Sequence, residues 1–180
     1  GSGKSTLLNQ LAGMEKPTEG KIVIDSVDIT KLREEKMAAF RQKHIGFIFQ
    51  SYNLLPYMTA LENTALPLMF QGYGKKEREA RAARLLKMVG LGERLSHYPS
   101  QMSGGQQQRV GIARAFAAKP DVIFADEPTG NLDTKTTAQI MEMVLAFTRE
   151  NQKTIVLVTH DPEIASYADP ILTLIDGNIV

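Results

Sequence analysis

Short apolar runs alternate along most of the chain with segments whose apolar residues recur at helical spacing. The runs lie at Ile22 to Ile24, Ile45 to Phe49, Val122 to Ala125, Ile155 to Val158 and Ile171 to Ile175. Most of them are continuously apolar, as in strands that are covered on both faces. Strands that alternate with helices are typical of an α/β domain with a mainly parallel sheet.

Two helices of this domain have clear signals. The first is predicted over Lys4 to Ala12, and Gly13 after it suits the left-handed residue that commonly ends a helix. The second is predicted over Thr134 to Glu150. One face of this second helix carries apolar side chains at helical spacing, namely Ile140, Met143, Val144 and Phe147.

The segment 51–102 has a different pattern, because it contains no convincing strand. A helix is predicted there over Glu77 to Val89, with an apolar face of Ala82, Leu85, Leu86 and Val89. We therefore predict a helical subdomain at 51–102, inserted in an α/β core that consists of 1–50 and 103–180. Within the core we expect two hairpins, one over 21–30 that turns at Asp25-Ser26 and one over 175–179.

Composition and charge exclude several classes of function. The 180 residues carry a formal net charge of +1 and no basic block, so we expect no nucleic-acid partner. The chain has no cysteine, which excludes disulfides, thiolate metal sites and thiol catalysis. No run of about 18 apolar residues occurs, so no membrane-spanning helix is predicted.

The first residues match the second half of a phosphate-binding loop, GxxxxGKS/T, and they are Gly1, Ser2, Gly3, Lys4, Ser5 and Thr6. In such a loop, backbone N–H groups of a glycine-rich turn point at phosphates from the start of a helix. Lys4 would neutralise the β and γ oxygens, and the Ser5 hydroxyl would bind Mg²⁺. A flexible linker would have a similar composition, so the interpretation depends on motifs further along the chain.

Two carboxylates, Asp126 and Glu127, follow the predicted strand over 122–125. Carboxylates at the carboxyl end of a strand in an open α/β sheet face the ligand crevice. Asp126 fits a ligand of Mg²⁺, directly or through water, and Glu127 fits the base that polarises an attacking water. A strand-ending turn would also use Asp, Glu and Pro, but a phosphate loop in the same chain favours the functional interpretation.

A second helix start of the anion-binding type lies further along the chain, at Ser103, Gly104, Gly105 and Gln106. Its helix is predicted to run to about Ala118, with Ser103 as the N-cap. Backbone donors at such a start favour an anion. Because one domain needs only one cradle for a γ-phosphate, the second suggests use in trans.

In this order, the motifs resemble those of the ATP-binding subunits of ABC transporters, whose diagnostic sequence is LSGGQ. Met102 stands where that family usually has Leu, a volume-conserving difference. The resemblance covers nearly the whole chain and implies a RecA-like P-loop ATPase of the ABC type that binds ATP and Mg²⁺. It also implies that Gln50 links the Mg²⁺ site to the helical subdomain, that Asp133 signals across a dimer, and that His160 contacts the γ-phosphate.

The resemblance further implies partners and a location. Two copies, or this chain and a sister ATPase, would close head to tail, with each ATP between the Lys4 loop of one chain and the loop at 103–106 of the other. A transmembrane permease would hold the dimer peripherally at the cytoplasmic face of the inner membrane. We expect the apolar segment after Gln50, over 52–57, to line a groove for a short helix of that permease.

Subfamily cues are similar to the lipoprotein-release and macrolide-export group, and they lie at 52–56, 61–63, 97–101 and 128–133. An alternative remains open, namely a regulatory module of the cell-division type that moves no cargo. Soluble ABC ATPases of repair or translation are less favoured, since no sustained heptads and only one ATPase core are seen. The family pattern leads us to expect a strand, the first half of the phosphate loop and an adenine-stacking aromatic before Gly1.

Overall fold

The computed structural model describes residues 2–180, so that Gly1 of the predicted phosphate loop lies outside the described residues. The elements follow in chain order as α1 (Lys4–Leu11), β1 (Val23–Ile24), β2 (Val27–Asp28), α2 (Glu34–His44), β3 (Ile45–Ile48), α3 (Ala60–Phe70), α4 (Lys75–Met88), α5 (Gly104–Ala117), β4 (Val122–Asp126), α6 (Thr134–Glu150), β5 (Thr154–Val158), α7 (Pro162–Ala165), β6 (Leu174–Ile175) and β7 (Asn178–Ile179). Short 3-10 turns lie at 29–31, 92–94 and 99–101.

Strands β3, β4 and β5 form a parallel sheet in that order. They begin level, because Val122 pairs with both Ile45 and Thr154. The residues just before the strands are tied together: His44 Nδ1 lies 2.7 Å from Asp121 Oδ2, and Lys153 Nζ donates to Asp121 Oδ1 at 3.1 Å. All three strands therefore end at one edge, where the predicted site residues follow.

Two of the predicted strands lie outside this sheet. Strand β1 pairs antiparallel with β2, and β6 pairs antiparallel with β7, so the prediction of sheet strands at 22–24 and 171–175 is wrong. Both expected hairpins are confirmed. Their turns have left-handed φ at both central residues, 47° and 64° at Asp25-Ser26 and 47° and 82° at Asp176-Gly177. Such turns match the twist of two neighbouring strands, which therefore pair locally.

The predicted helices agree closely with the observed ones. Helix α1 is followed by Ala12 and by Gly13, whose φ of 66° is left-handed as expected. Helix α6 has the predicted bounds, and α4 begins two residues before the predicted Glu77. None of the helices within 2–180 is long and apolar enough to cross a membrane.

Alternate residues of β4 face two different helical layers. Phe124 packs with Leu8 of α1 and with Ala12, which directly follows α1, whereas Ile123 and Ala125 belong to the main core with α5 and α6. Helices α3 and α4 pack in turn on α5, so α5 lies between the sheet and these two helices. Residues 51–102 contain α3, α4 and no strand, while the exact limits of a helical subdomain remain a prediction.

Candidate active site

The start of α1 presents backbone donors and an amine. Gly3 is its N-cap with φ 86° and ψ 7°, a left-handed conformation that glycine adopts at little cost, and no side chain within 2–180 caps the helix there. Lys4 Nζ donates to Ser2 Oγ at 2.9 Å. Ser5 and Thr6, in the first turn, are exposed. The described part of the predicted loop thus has free N–H groups and a cation at one helix end, which suits an anion.

The loop meets the acidic pair through Ser5, whose hydroxyl donates to Asp126 Oδ1 at 3.4 Å. Burial raises the pKa of Asp126; the hydrogen bond from Ser5 opposes this, and the negative charge of Glu127 adds to it. The ionised form of Asp126 is therefore poorly compensated. A hydroxyl beside such a carboxylate is an oxygen donor set that Mg²⁺ prefers, so these two residues fit the ion.

Glu127 and His160, two of the predicted site residues, lie in contact with each other. Glu127 Oε1 lies 2.7 Å from His160 Nδ1, and Glu127 Oε2 accepts a hydrogen bond from Thr159 Oγ1 at 3.1 Å. The Glu127 side chain is 15% exposed and that of His160 is 73% exposed, so the pair reaches the surface through the imidazole. Sequence reasoning missed Thr159, although a hydroxyl residue directly before His160 at a strand end was a usable signal.

Gln50 lies beside the segment that follows Glu127. A Cβ atom at Gly130 would lie 2.9 Å from Gln50 Nε2, and Asn131 Nδ2 donates to the Gln50 carbonyl at 3.1 Å. Among the described residues, Gln50 makes no hydrogen bond to Ser5 or Asp126. Its assignment as a Mg²⁺ ligand therefore stays a prediction.

The second predicted helix start forms a separate pocket. Ser103 Oγ accepts from the Gln106 N–H at 3.4 Å, and Gln106 Oε1 accepts from the Ser103 N–H at 3.0 Å, a reciprocal capping box. Asp133 caps α6, and hydrogen bonds from Thr136 lower the pKa of Asp133. The pocket has a volume of about 350 Å³, and its lining is shared by 103–106, 109, 131–133, 136 and 139.

The predicted site residues of one chain thus fall into two separate groups, which we call half-sites. The pocket lining contains Ser103 to Gln106 and Asp133, but none of residues 2–6, 126, 127 or 160. The phosphate loop, the acidic pair and His160 form the other set. Among known proteins, residues 1–130 match a family profile described as ABC transporter. This chain belongs to the ABC transporter family. Within the family, the similar proteins are the ATP-binding subunits.

Relatives in the ABC transporter family match this chain over almost its whole length. An ABC transporter ATP-binding protein of Thermotoga maritima is 51% identical over 179 residues, which are 99% of this chain and 76% of the relative. The ABC transporter ATP-binding protein YtrE of Bacillus subtilis is 48% identical over 177 residues, which are 98% and 77% of the two chains.

Solved structures share the fold. A dimeric, post-hydrolysis structure of the ATP-binding cassette MJ0796 with ADP and Pi has a TM-score of 0.90 at 45% identity, and the match covers 99% of this chain and 78% of that one. MJ0796 comes from Methanocaldococcus jannaschii. The prediction of an ABC-type P-loop fold is confirmed.

None of residues 52–57 belongs to the lining of the apolar groove that lies beside this segment, and the expected contact of 52–57 with the permease stays a prediction. The groove has a volume of about 200 Å³, and its lining comprises Gln42, Ile45, Gly46, Phe47, Phe49, Leu66, Pro67, Phe70, Arg114, Ala115 and Ala118. Leu54 packs against the core, the backbone of Leu55 is bonded to Asn63, and Tyr57 is exposed. The reason is that buried Asn63 ties this segment to α3 through the carbonyls of Leu55, Met58 and Thr59.

Arg114 of the ABC protein fixes the turn that follows Gln50. Its guanidinium donates to the carbonyls of Asn53 at 2.6 Å and Tyr52 at 2.7 Å. Both residues have left-handed φ, 46° and 60°. Burial lowers the pKa of Arg114 to about 10, which leaves it charged at neutral pH. Sequence reasoning had no means to find this role, since the contact spans about sixty residues.

Proposed function

We propose that this chain hydrolyses ATP as one half of a head-to-tail dimer and that the dimer drives a transmembrane permease. The single observation that carries the proposal is the presence of two incomplete half-sites on separate surfaces of one chain. Two copies of the chain that face each other would complete both sites. The dimeric state of MJ0796 with ADP and Pi supports such an assembly.

The residues of each half-site have distinct roles in this proposal. The start of α1 and Lys4 bind the β- and γ-phosphates, while the loop at 103–106 of the second protomer covers the same nucleotide. Ser5 and Asp126 would hold Mg²⁺, which would supply positive charge beside the phosphates. Closure excludes water from the site and completes it, so hydrolysis depends on dimerisation.

Glu127 acts as the base in this mechanism. Its carboxylate orients the attacking water and accepts a proton from it, while His160 contacts the γ-phosphate. Thr159 and His160 each bond one carboxylate oxygen of Glu127, which fixes the side chain before nucleotide arrives. In the proposed mechanism, Gln50 reports changes at the site to the segment that Arg114 holds; its neighbours Gly130 and Asn131 support this role.

The base is tested with Glu127→Gln in the full-length protein. We expect turnover to fall by roughly 10²–10⁴, because general base catalysis is lost, while ATP binding persists and the closed dimer accumulates. Phosphate release and light scattering measure the two effects. Glu150→Gln, at an exposed end of α6, is the matched control. Near-normal turnover of Glu127→Gln would exclude Glu127 as the base.

The permease contact is assigned to the apolar groove beside the segment after Gln50. Phe70, which lines the groove, is 59% exposed, and Phe49 and Leu66 extend the apolar surface beside it. An exposed apolar surface of this kind is typical of a site that binds another protein. An amphipathic helix is the kind of partner that such a groove accepts. In a complex with the permease, Phe70→Glu should abolish stimulation of the ATPase and leave its basal rate unchanged.

Met88→Glu is the control for that variant, because Met88 is also 59% exposed but lies at the end of α4, outside the groove. Full stimulation of the Phe70→Glu complex would remove the groove from the proposal. We infer from the sequence cues at 52–56, 61–63, 97–101 and 128–133 that the dimer lies at the cytoplasmic face of the inner membrane and powers export or release of cargo through the permease. A cargo assay with the co-purified permease tests this.

A further inference from the structure

Gln108 is a polar side chain in the centre of the core. It lies on α5 and is fully buried, with 0% exposure. Its Nε2 donates to the carbonyl of Pro128, and its Oε1 accepts no hydrogen bond from any of residues 2–180. Buried amides are normally satisfied at both ends, so a half-satisfied one at this position calls for an explanation.

The bond of Gln108 holds the turn that carries Glu127. Glu127 has φ 44°, a left-handed conformation that is strained for a residue with a side chain. Such strain persists only where neighbouring groups determine the conformation. The Glu127 N–H donates to Val158, and its carbonyl accepts from Gly130. The next carbonyl, that of Pro128, is bonded by Gln108 from a different element.

The placement of Gln108 on α5 connects this turn to the other half-site. Gln108 lies one helical turn after Gly104 and Gly105, which line the pocket at the start of α5. A helix moves as a rigid element over so short a distance. A shift of the helix start therefore moves the Gln108 amide, and with it the Pro128 carbonyl.

We propose that Gln108 is a positioning residue for Glu127 and that it transmits the engagement of the 103–106 loop to the base. The inference rests on the proposed function, because it takes Glu127 as the base and the loop as acting in trans. In the dimer, one protomer's loop would touch one nucleotide while its Glu127 serves the other. Gln108 then couples the two nucleotide sites through a single side chain.

Stability alone does not separate a positioning role from a purely structural one. Gln108→Met removes the unsatisfied Oε1, but it also leaves the buried Pro128 carbonyl without its donor, so the Tm of the full-length protein should fall in either case. The two roles differ in kcat measured well below the Tm, where a merely structural loss leaves the kcat of the folded enzyme unchanged.

The kinetic test uses the same variant in the full-length ATPase. We expect the kcat of Gln108→Met to fall about 10- to 100-fold, since small displacements of a catalytic group have effects of that order. The KM for ATP should stay within about 3-fold, because binding depends on the α1 loop. Ile112→Met is the control: Ile112 is also fully buried on α5 but has no polar group, and its kcat should not change.

A double-mutant cycle with Glu127→Gln separates positioning from independent effects. If Gln108 acts through Glu127, the double variant turns over within about 2-fold of Glu127→Gln alone. Losses that multiply, an unchanged kcat in Gln108→Met, or an equal loss in Ile112→Met would each overturn the inference. Gln108→Leu replaces Gln108→Met if the latter does not fold.

The Glu127→Gln variant also distinguishes failure of the proposed role of Gln108 from failure of the proposed function. Slow turnover of Glu127→Gln with normal turnover of Gln108→Met overturns only the role of Gln108. Normal turnover of Glu127→Gln overturns the assignment of the base, and the role of Gln108 fails with it.

Discussion

The two helix starts that face the half-sites differ in how their backbone donors are used. At α1, Gly3 is the N-cap and no side chain within 2–180 occupies the N–H groups of the first turn. At α5, Ser103 and Gln106 satisfy one another's backbone N–H groups. The first start is therefore open to an anion in a single chain, whereas the second is partly closed by its own side chains.

The basic residues beside the two helix starts also differ in how far other groups of the protein already bind them. Lys4 stands at the start of α1, and its amine contacts only the neutral hydroxyl of Ser2 among the described residues. Arg109 is the basic residue that lines the pocket of α5, and it is bonded to the Val89 carbonyl and to Gln139. This difference supports the proposal that α1 binds the nucleotide of its own chain and that α5 completes the site of a partner chain.

The largest effect, on ATP affinity, should come from Lys4→Ala, which removes the basic side chain at the start of α1. Loss of the amine removes the countercharge of the phosphates, so ATP affinity should fall by about 10²-fold, a change of about 2.7 kcal/mol. Ser103→Ala should leave ATP affinity of the monomer within about 2-fold. Calorimetric titration of both full-length variants measures this. An equal loss in both would show that the two starts do not differ as argued.

A smaller effect is expected at Asp126, on the α1 side. Burial raises the folded-state pKa of Asp126 above its ordinary value of 3.8, so its ionised form opposes folding once the pH exceeds the raised pKa. Asp126→Asn should therefore raise the Tm of the nucleotide-free protein at pH 7.

The stability gain of Asp126→Asn should disappear as the pH falls below 3.8, where the carboxyl is protonated in both the folded and the unfolded chain. Thermal scans across pH measure this. Asp133→Asn is the contrast on the α5 side, because hydrogen bonds from Thr136 lower the pKa of Asp133. A gain in Tm at Asp133 equal to that at Asp126 would contradict the argument.

The smallest effect concerns the packing of the α5 start against α6. A Cβ atom at Gly105 would lie 2.8 Å from Thr136 Cγ2, so Gly105→Ala forces this methyl group to move. Thr136→Ser removes the methyl group and keeps the hydroxyl that bonds Asp133. The double variant should be more stable than Gly105→Ala by about 0.5–1 kcal/mol, since loss of the Thr136 methyl group relieves the overpacking that Gly105→Ala introduces. Urea unfolding measures the difference.

Thr136→Ser alone serves as the control for the double variant. If it gives the same gain in the absence of Gly105→Ala, the contact between the two residues is not the cause. Gly104→Ala is not equivalent, because its Cβ would instead meet the Tyr52 hydroxyl at 2.8 Å.

Sequence reasoning succeeded where the signal was local. The bounds of α6 and the caps at Ser103 and Gly13 depend on residues within a few positions, so the pattern contained the answer. The prediction of parallel sheet strands failed for the runs at 22–24 and 171–175, because an apolar run contains no information about the strand with which it pairs. Sequence reasoning also missed Gln108, whose partner Pro128 lies twenty residues away and is a backbone carbonyl with no sequence signature.

The three parallel strands begin at paired residues, and this alignment restricts where the chain can accept insertions and deletions. Strands β3, β4 and β5 have four, five and five residues, and they run from a common origin at His44, Asp121 and Lys153. One residue added inside β4 would advance Asp126 by about 3.3 Å and turn its side chain to the opposite face. Insertions and deletions should consequently accumulate in the connecting loops of homologous chains, while these three strands keep a constant number of residues.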